Sequence, residues 1–130
     1  MVAVDTNIVV RLLVNDDAEQ ARRAALIFAK HEVFVPKTVM LETEWVLRGA
    51  YRLEPARVTA ALRAFLSLER VIIEDEEVML RALDSLEAGL DFADALHLAS
   101  SCRAESFVTF NARLRTTAAK HSLFPPVAEP

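Results

Sequence analysis

Along this chain, brief unbroken apolar runs alternate with segments whose apolar residues recur at helical spacing. Val2 to Val4 form such a run, and Ile8, Val9, Leu12 and Leu13 then mark one face of a predicted helix from Thr6 to Leu13. Asp16 with Glu19 three residues on has the form of a capping box, opening a helix through about Phe28. "VFVP" predicts a second strand stopped by Pro36, followed by a helix from about Thr38 to Tyr51. Pro55 suits a first helical turn, with a helix to about Leu68. "RVIIED" predicts a third strand, and Glu76 to Glu87 a helix that Gly89 can end. "DFADALHLASSC" predicts an Ala-rich helix capped by Asp91, "SFVTF" a fourth strand, and Asn111 to Ala119 a short helix. "HSLFPPV" can add an edge strand before a tail, from about residue 125, that is expected to be irregular.

Apolar strands alternating with helices argue for βαβ units and a parallel sheet covered on both faces. The expected fold class is α/β: a three-layer α/β/α sandwich around a central, mostly parallel sheet of about four or five strands. The chain's 130 residues fit one domain spanning 1–130. With 53% hydrophobic residues and only 2 glycines, it has a core to bury and little room for linkers. One cysteine, Cys102, excludes an intrachain disulfide and fits a reducing compartment; its Ala/Leu-rich setting predicts burial. Strand-like residues begin at Val2, where a signal peptide would place a basic start. No apolar run approaches the ~18 residues of a membrane helix. A cytoplasmic protein is expected. The net charge of −4 argues against a general nucleic-acid binder but not against a nuclease, whose cation-holding acids raise the negative count.

Three acids lack a surface explanation. Asp5 directly follows the first strand, where parallel sheets form their ligand crevice, although it can also cap the helix that follows. Glu42 has Val39, Trp45, Val46 and Gly49 at its helical neighbour positions and no basic partner, so it reads as lying on an apolar stripe. Glu44, with Arg48 four residues later, reads as a solvated ion pair. Asp91 is explained as a cap, whereas Asp94 is followed by His97 and Leu98 on a helix expected to pack inward. His97 itself reads as a core histidine, and His31 and His121 suggest nothing specific. There is no zinc-type Cys/His cluster, Gly-rich phosphate loop or G-x-S-x-G elbow. Asp5, Glu42 and Asp94 would repel one another on convergence unless a divalent cation joined them. Hard oxygen ligands suit Mg²⁺ or Mn²⁺, and such a site can hydrolyse a phosphodiester.

"VAVDTNIVVRLL", "VPKTVMLETEWVLR", "DFADALHLA" and "FVTFN", in this order and spacing, resemble a PIN domain and, more narrowly, the VapC-type toxins of bacterial toxin–antitoxin pairs. The resemblance covers essentially the whole chain. It implies a Mg²⁺- or Mn²⁺-dependent endoribonuclease, with Asp5 and Asp94 as metal ligands and Glu42 holding metal or orienting the attacking water. It also implies that Thr6 and Asn7 shape the turn beneath the site and that Thr109 lines it. Where many relatives read Thr-x-Asp, this chain reads Thr109-Phe110-Asn111, which removes a charge that Asp91 can supply only in part. Arg11, Arg113 and Arg115 are candidate contacts to RNA phosphates. A homodimer and a VapB-like antitoxin partner are implied, with no membrane. Apolar positions around Trp45, Tyr51, Leu62, Phe65 and Leu66 are either core or the surface for those partners. The alternative reading is a catalytically weak PIN-like interaction module. A phosphatase using Asp5 as nucleophile is disfavoured, because Asn7 stands where that chemistry wants a second acid.

Overall fold

A computed structural model describes all residues, 1–130, and shows a mixed α/β fold of seven helices and five short parallel strands. By internal contacts the chain divides into two compact units, Met1–Glu76 and Glu77–Pro130. No helix is long and apolar enough to cross a membrane.

The first unit runs β1 (Val2–Ala3), α1 (Thr6–Leu13), α2 (Ala18–Lys30), β2 (Val33–Val35), α3 (Lys37–Gly49), α4 (Pro55–Leu66) and β3 (Val71–Ile73). Its three strands lie in the order β1-β2-β3, all parallel, with Val2 opposite Val33 and Val33 opposite Val71. Parallel neighbours need long crossovers, and each helix pair supplies one. Val33 and Val35, two residues apart and so on one face of β2, are fully buried, while Phe34 on the other face is half-buried. Phe65 of α4 is 1% exposed and meets Phe28 edge-on, with ring centroids 5.7 Å apart.

Along α3 the buried stripe is Met40, Thr43, Glu44 and Leu47, an i, i+3, i+4, i+7 series. This phase corrects two expectations. Glu44 is 3% exposed, its carboxylate held by Arg48 Nε at 2.7 Å, so the ion pair forms but on the packed side. Glu42 falls outside the stripe and is exposed. Met40 and Leu47 fix the rotation, and Glu44 follows them inward because Arg48 compensates its charge.

The start of α2 differs by one residue from the sequence reading. Asp17, not Asp16, caps the helix, accepting from Gln20 N at 3.0 Å. Asp16 is drawn instead into a long-range network. Its Oδ1 accepts from Arg11 Nη1 at 2.7 Å, and its Oδ2 from the Tyr51 hydroxyl at 2.9 Å. Arg11 also donates to Tyr51 Oη and to Gln20 Oε1. The Tyr51 hydrogen bond and then the Arg11 charge hold the Asp16 carboxyl below its usual range, against partial desolvation. A depressed folded pKa stabilises above the unfolded value, near ~3.9, and that contribution is lost as pH falls through the folded value. Asp16→Asn is therefore expected to be less stable than the wild type at about pH 6, with the gap narrowing as the pH falls below about 3.9. Urea unfolding on both sides of that value measures it, and a gap undiminished in acid would contradict the assignment.

The second unit contains α5 (Glu76–Glu87, from its second residue), α6 (Phe92–Ser100), β4 (Phe107–Val108), α7 (Ala112–Lys120) and β5 (Val127–Ala128). Gly89, at φ +109, makes the left-handed exit from α5. β4 and β5 pair in parallel, Phe107 opposite Val127, so the segment expected to be an irregular tail carries a strand. The strands thus form a three-stranded and a two-stranded sheet rather than one sheet of four or five. Phe92, Ala95, Leu96, Leu98 and Ala99 form the buried face of α6, which leaves His97 exposed instead of in the core. Cys102 is half-buried, since it lies beyond the end of α6.

Candidate active site

In the first unit, Asp5 stands between β1 and α1, at the carboxyl end of the strand. Its neighbours Val4 and Thr6 are buried, while Asp5 is exposed. The cost of burying a carboxylate in an apolar run is therefore never incurred. Asp5 Oδ1 caps α1 by accepting from Ile8 N at 3.4 Å, a long contact that leaves the second oxygen free. Thr6 opens α1 and packs inward. Asn7 is exposed beside a cleft of about 240 Å³ between α1 and α2, lined also by Ile8, Arg11, Gln20 and Arg23. α1 packs against α3, which carries Glu42 on its exposed side. The Glu42 carboxylate has no ion pair or hydrogen bond within the chain.

In the second unit, Asp91 caps α6, its Oδ1 accepting from Ala93 N at 3.0 Å and Asp94 N at 3.4 Å. With the cap filled by Asp91, the Asp94 carboxylate is not needed there. It is half-buried and has no partner in the chain. Partial burial without a counter-charge is unfavourable for a carboxylate, and an external cation would relieve it. Thr109 is half-buried, and its Oγ1 accepts from Asn111 N at 3.0 Å. Asn111 caps α7, with Oδ1 accepting from Leu114 N at 3.1 Å, so its carbonyl oxygen is already engaged.

The three candidate RNA-contacting arginines have different surroundings. Arg11 is committed to Asp16, Tyr51 and Gln20, which gives it a structural occupation. Arg115 donates to the Thr109 carbonyl at 3.0 Å and lies 3.9 Å from Glu129. Arg113 alone is exposed and unpaired. Leu62, Phe65 and Leu66 are core, whereas Trp45 projects into solvent. Phe110, between Thr109 and Asn111, is also exposed. The sequence reading leaves Trp45 open between core and partner surface and says nothing of Phe110. For Trp45 the usable signal was its offset from the Met40–Leu47 stripe.

No group of three or more His, Cys, Asp or Glu side chains stands close enough to hold a metal ion. The donors at the candidate positions are nevertheless all hard oxygens. Mg²⁺ is commonly held by one or two carboxylates, with waters and substrate phosphate completing the shell. In donor type the residues therefore fit a hard divalent cation. The family described as PIN domain matches residues 2–120. Among individually curated proteins, none matches the chain.

Proposed function

This chain belongs to the PIN domain family, generally metal-dependent nucleases, and from that premise we propose that it is a Mg²⁺- or Mn²⁺-dependent endoribonuclease of the VapC toxin type. The observation that carries the proposal is Asp94, a half-buried carboxylate without a partner at a position the family motif assigns to metal. Asp5, with one oxygen free at the end of β1, is assigned the same role in the first unit. A divalent cation, when bound, supplies a Lewis acid for the scissile phosphate and acidifies a water. Glu42, exposed and unpaired, is available to accept a proton from the attacking water. Arg113 is the arginine free to meet a phosphate. The proposal extends to a homodimer and to an antitoxin that presents a basic residue to these acids.

Induction of the chain in a bacterial host tests the toxin reading. New RNA 5′ ends, mapped across the transcriptome, are expected with the wild type and not with Asp5→Asn. Identical end maps for the two proteins would overturn it.

Asn111 offers a finer test. Asp caps helices as well as Asn does, so Asn111→Asp keeps the cap on α7 and adds a charge. The Mg²⁺ concentration for half-maximal cleavage is expected to fall by up to about tenfold, the scale on which groups around a metal tune its affinity. An unchanged requirement would remove Asn111 from the site.

A further inference from the structure

Within the second unit, a cavity of about 240 Å³ opens between α5, α6 and the segment that follows α7. Ser85 of α5 lines it and is only 6% exposed. A helical serine can return its hydroxyl to the carbonyl one turn earlier, yet Ser85 makes no side-chain hydrogen bond in the chain. Its oxygen is not sealed off from solvent, and the cavity is the opening that Ser85 lines. A polar group at this depth is costly unless something meets it. Arg81, one turn earlier on the same face of α5, lines the cavity as well. Its Nη2 donates to the Phe124 carbonyl at 3.2 Å, and it has no carboxylate partner. A half-buried guanidinium without a counter-charge favours an anion beside it. Ser122 adds a second hydroxyl without a partner. Asp84 also borders the cavity, but it is exposed and already has a partner elsewhere in the chain.

The rest of the lining is apolar. Leu98 of α6 and Leu123 contribute aliphatic surface, and Phe124 contributes a ring that is 53% exposed. Free donors carrying one positive charge therefore face the same space as an aliphatic and aromatic wall. That combination fits a small amphipathic anion and repels a cation. One guanidinium with two hydroxyls matches the single charge and paired oxygens of a carboxylate, which arginine meets in a fork. Inorganic phosphate would bring up to two charges and leave the wall of Leu98 and Phe124 unused. The volume falls below the ~300 Å³ at which drug-sized pockets begin, so the ligand is small. We propose that this cavity binds a small organic carboxylate with an apolar body. The carboxylate sits on Arg81 and Ser85, and the body packs on Leu98 and Phe124. The proposal does not depend on the nuclease reading, and its lining lies wholly within the second unit.

Phenylacetate is the probe. Titrated into the full chain and followed by methyl NMR, it is expected to give saturable shifts at Leu98 and Leu123. Phenylacetamide, with the same body and no charge, is expected to bind at least about tenfold more weakly. Arg81→Met keeps the aliphatic stem and should weaken phenylacetate by a similar factor. Ser85→Ala should weaken it about tenfold, the scale of a hydrogen bond to a charged group. Thermal melting of Ser85→Ala should match the wild type, because this hydroxyl has no partner in the free chain to lose. If Arg81→Met fails to fold, Ser85→Ala and phenylacetamide carry the test. Equal binding of the acid and the amide would overturn the proposal, as would saturable shifts with inorganic phosphate and none with phenylacetate. No saturable shift at either leucine by about 10 mM acid would also overturn it. Shifts that follow protein concentration and ignore the acid would overturn it in favour of a second copy on this face.

Discussion

Asp5→Asn is expected to lower metal-dependent RNA cleavage by roughly 10²–10³-fold while leaving the fold intact. Loss of a ligand carboxylate removes several kcal/mol of charge stabilisation, and each ~1.4 kcal/mol is a factor of ten. The substitution is nearly silent in structure. The only side-chain hydrogen bond Asp5 makes is the 3.4 Å cap contact to Ile8 N, and the Asn carbonyl can accept it equally well. Only the charge at the start of α1 is lost, which limits the stability change to within about 1 kcal/mol. Initial cleavage rates and thermal melting of both proteins separate the two effects. A rate within about threefold of wild type would take Asp5 out of the metal site. A collapse in stability would show that Asp5 serves the helix first.

The largest expected effect on stability is at Phe65. Phe65→Ala removes a fully buried ring that meets Phe28, and should cost about 3–5 kcal/mol. Trp45→Ala deletes a larger side chain, yet should stay within about 0.5 kcal/mol because its ring lies mostly in solvent. Urea denaturation of the two variants beside the wild type checks the contrast. Equal losses would mean that Trp45 is covered in solution.

That contrast also marks how far the sequence could be read. Periodicity grouped Trp45 with Leu62, Phe65 and Leu66, since hydrophobicity alone does not tell a core residue from an exposed one. The rotation of α3 decides the matter, and Met40, Thr43, Glu44 and Leu47 set it. A charged residue on the buried stripe runs against the usual pattern, so the legible pairing of Glu44 with Arg48 reads from sequence as a solvated surface pair. Local signals did better where one residue dominates the chemistry. The helix spanning Thr6 to Leu13, the strand stopped before Pro36 and the cap at Asp91 all appear at the positions read from sequence. Asp16 and Asp17 were ambiguous because adjacent acids cap equally well, and the choice is made by Tyr51, 35 residues away. The separation of β4 and β5 from the other strands was not legible either. Two-residue strands carry too short a pattern to specify their neighbours.

The candidate site shows the same division. Asp5 and Asp94 could be placed from the pattern, because one follows a strand end and the other sits in the first turn of a helix, whereas Glu42 lies in the middle of α3. The surroundings of the individual site residues were not legible. Asp5 is exposed where the apolar run suggested burial, and Asn111 spends its carbonyl on α7. Arg11, at a position suited to a phosphate contact, is held by Asp16 and Tyr51.

The central claim is that this chain cuts RNA with the help of a divalent cation. The most direct measurement follows a single-stranded RNA with the purified chain in Mg²⁺, then in excess EDTA, then with Mg²⁺ restored. Internal cleavage that stops with EDTA and returns with the metal is the predicted result. Cleavage indifferent to EDTA, or an RNA left intact throughout by a folded protein, would contradict it.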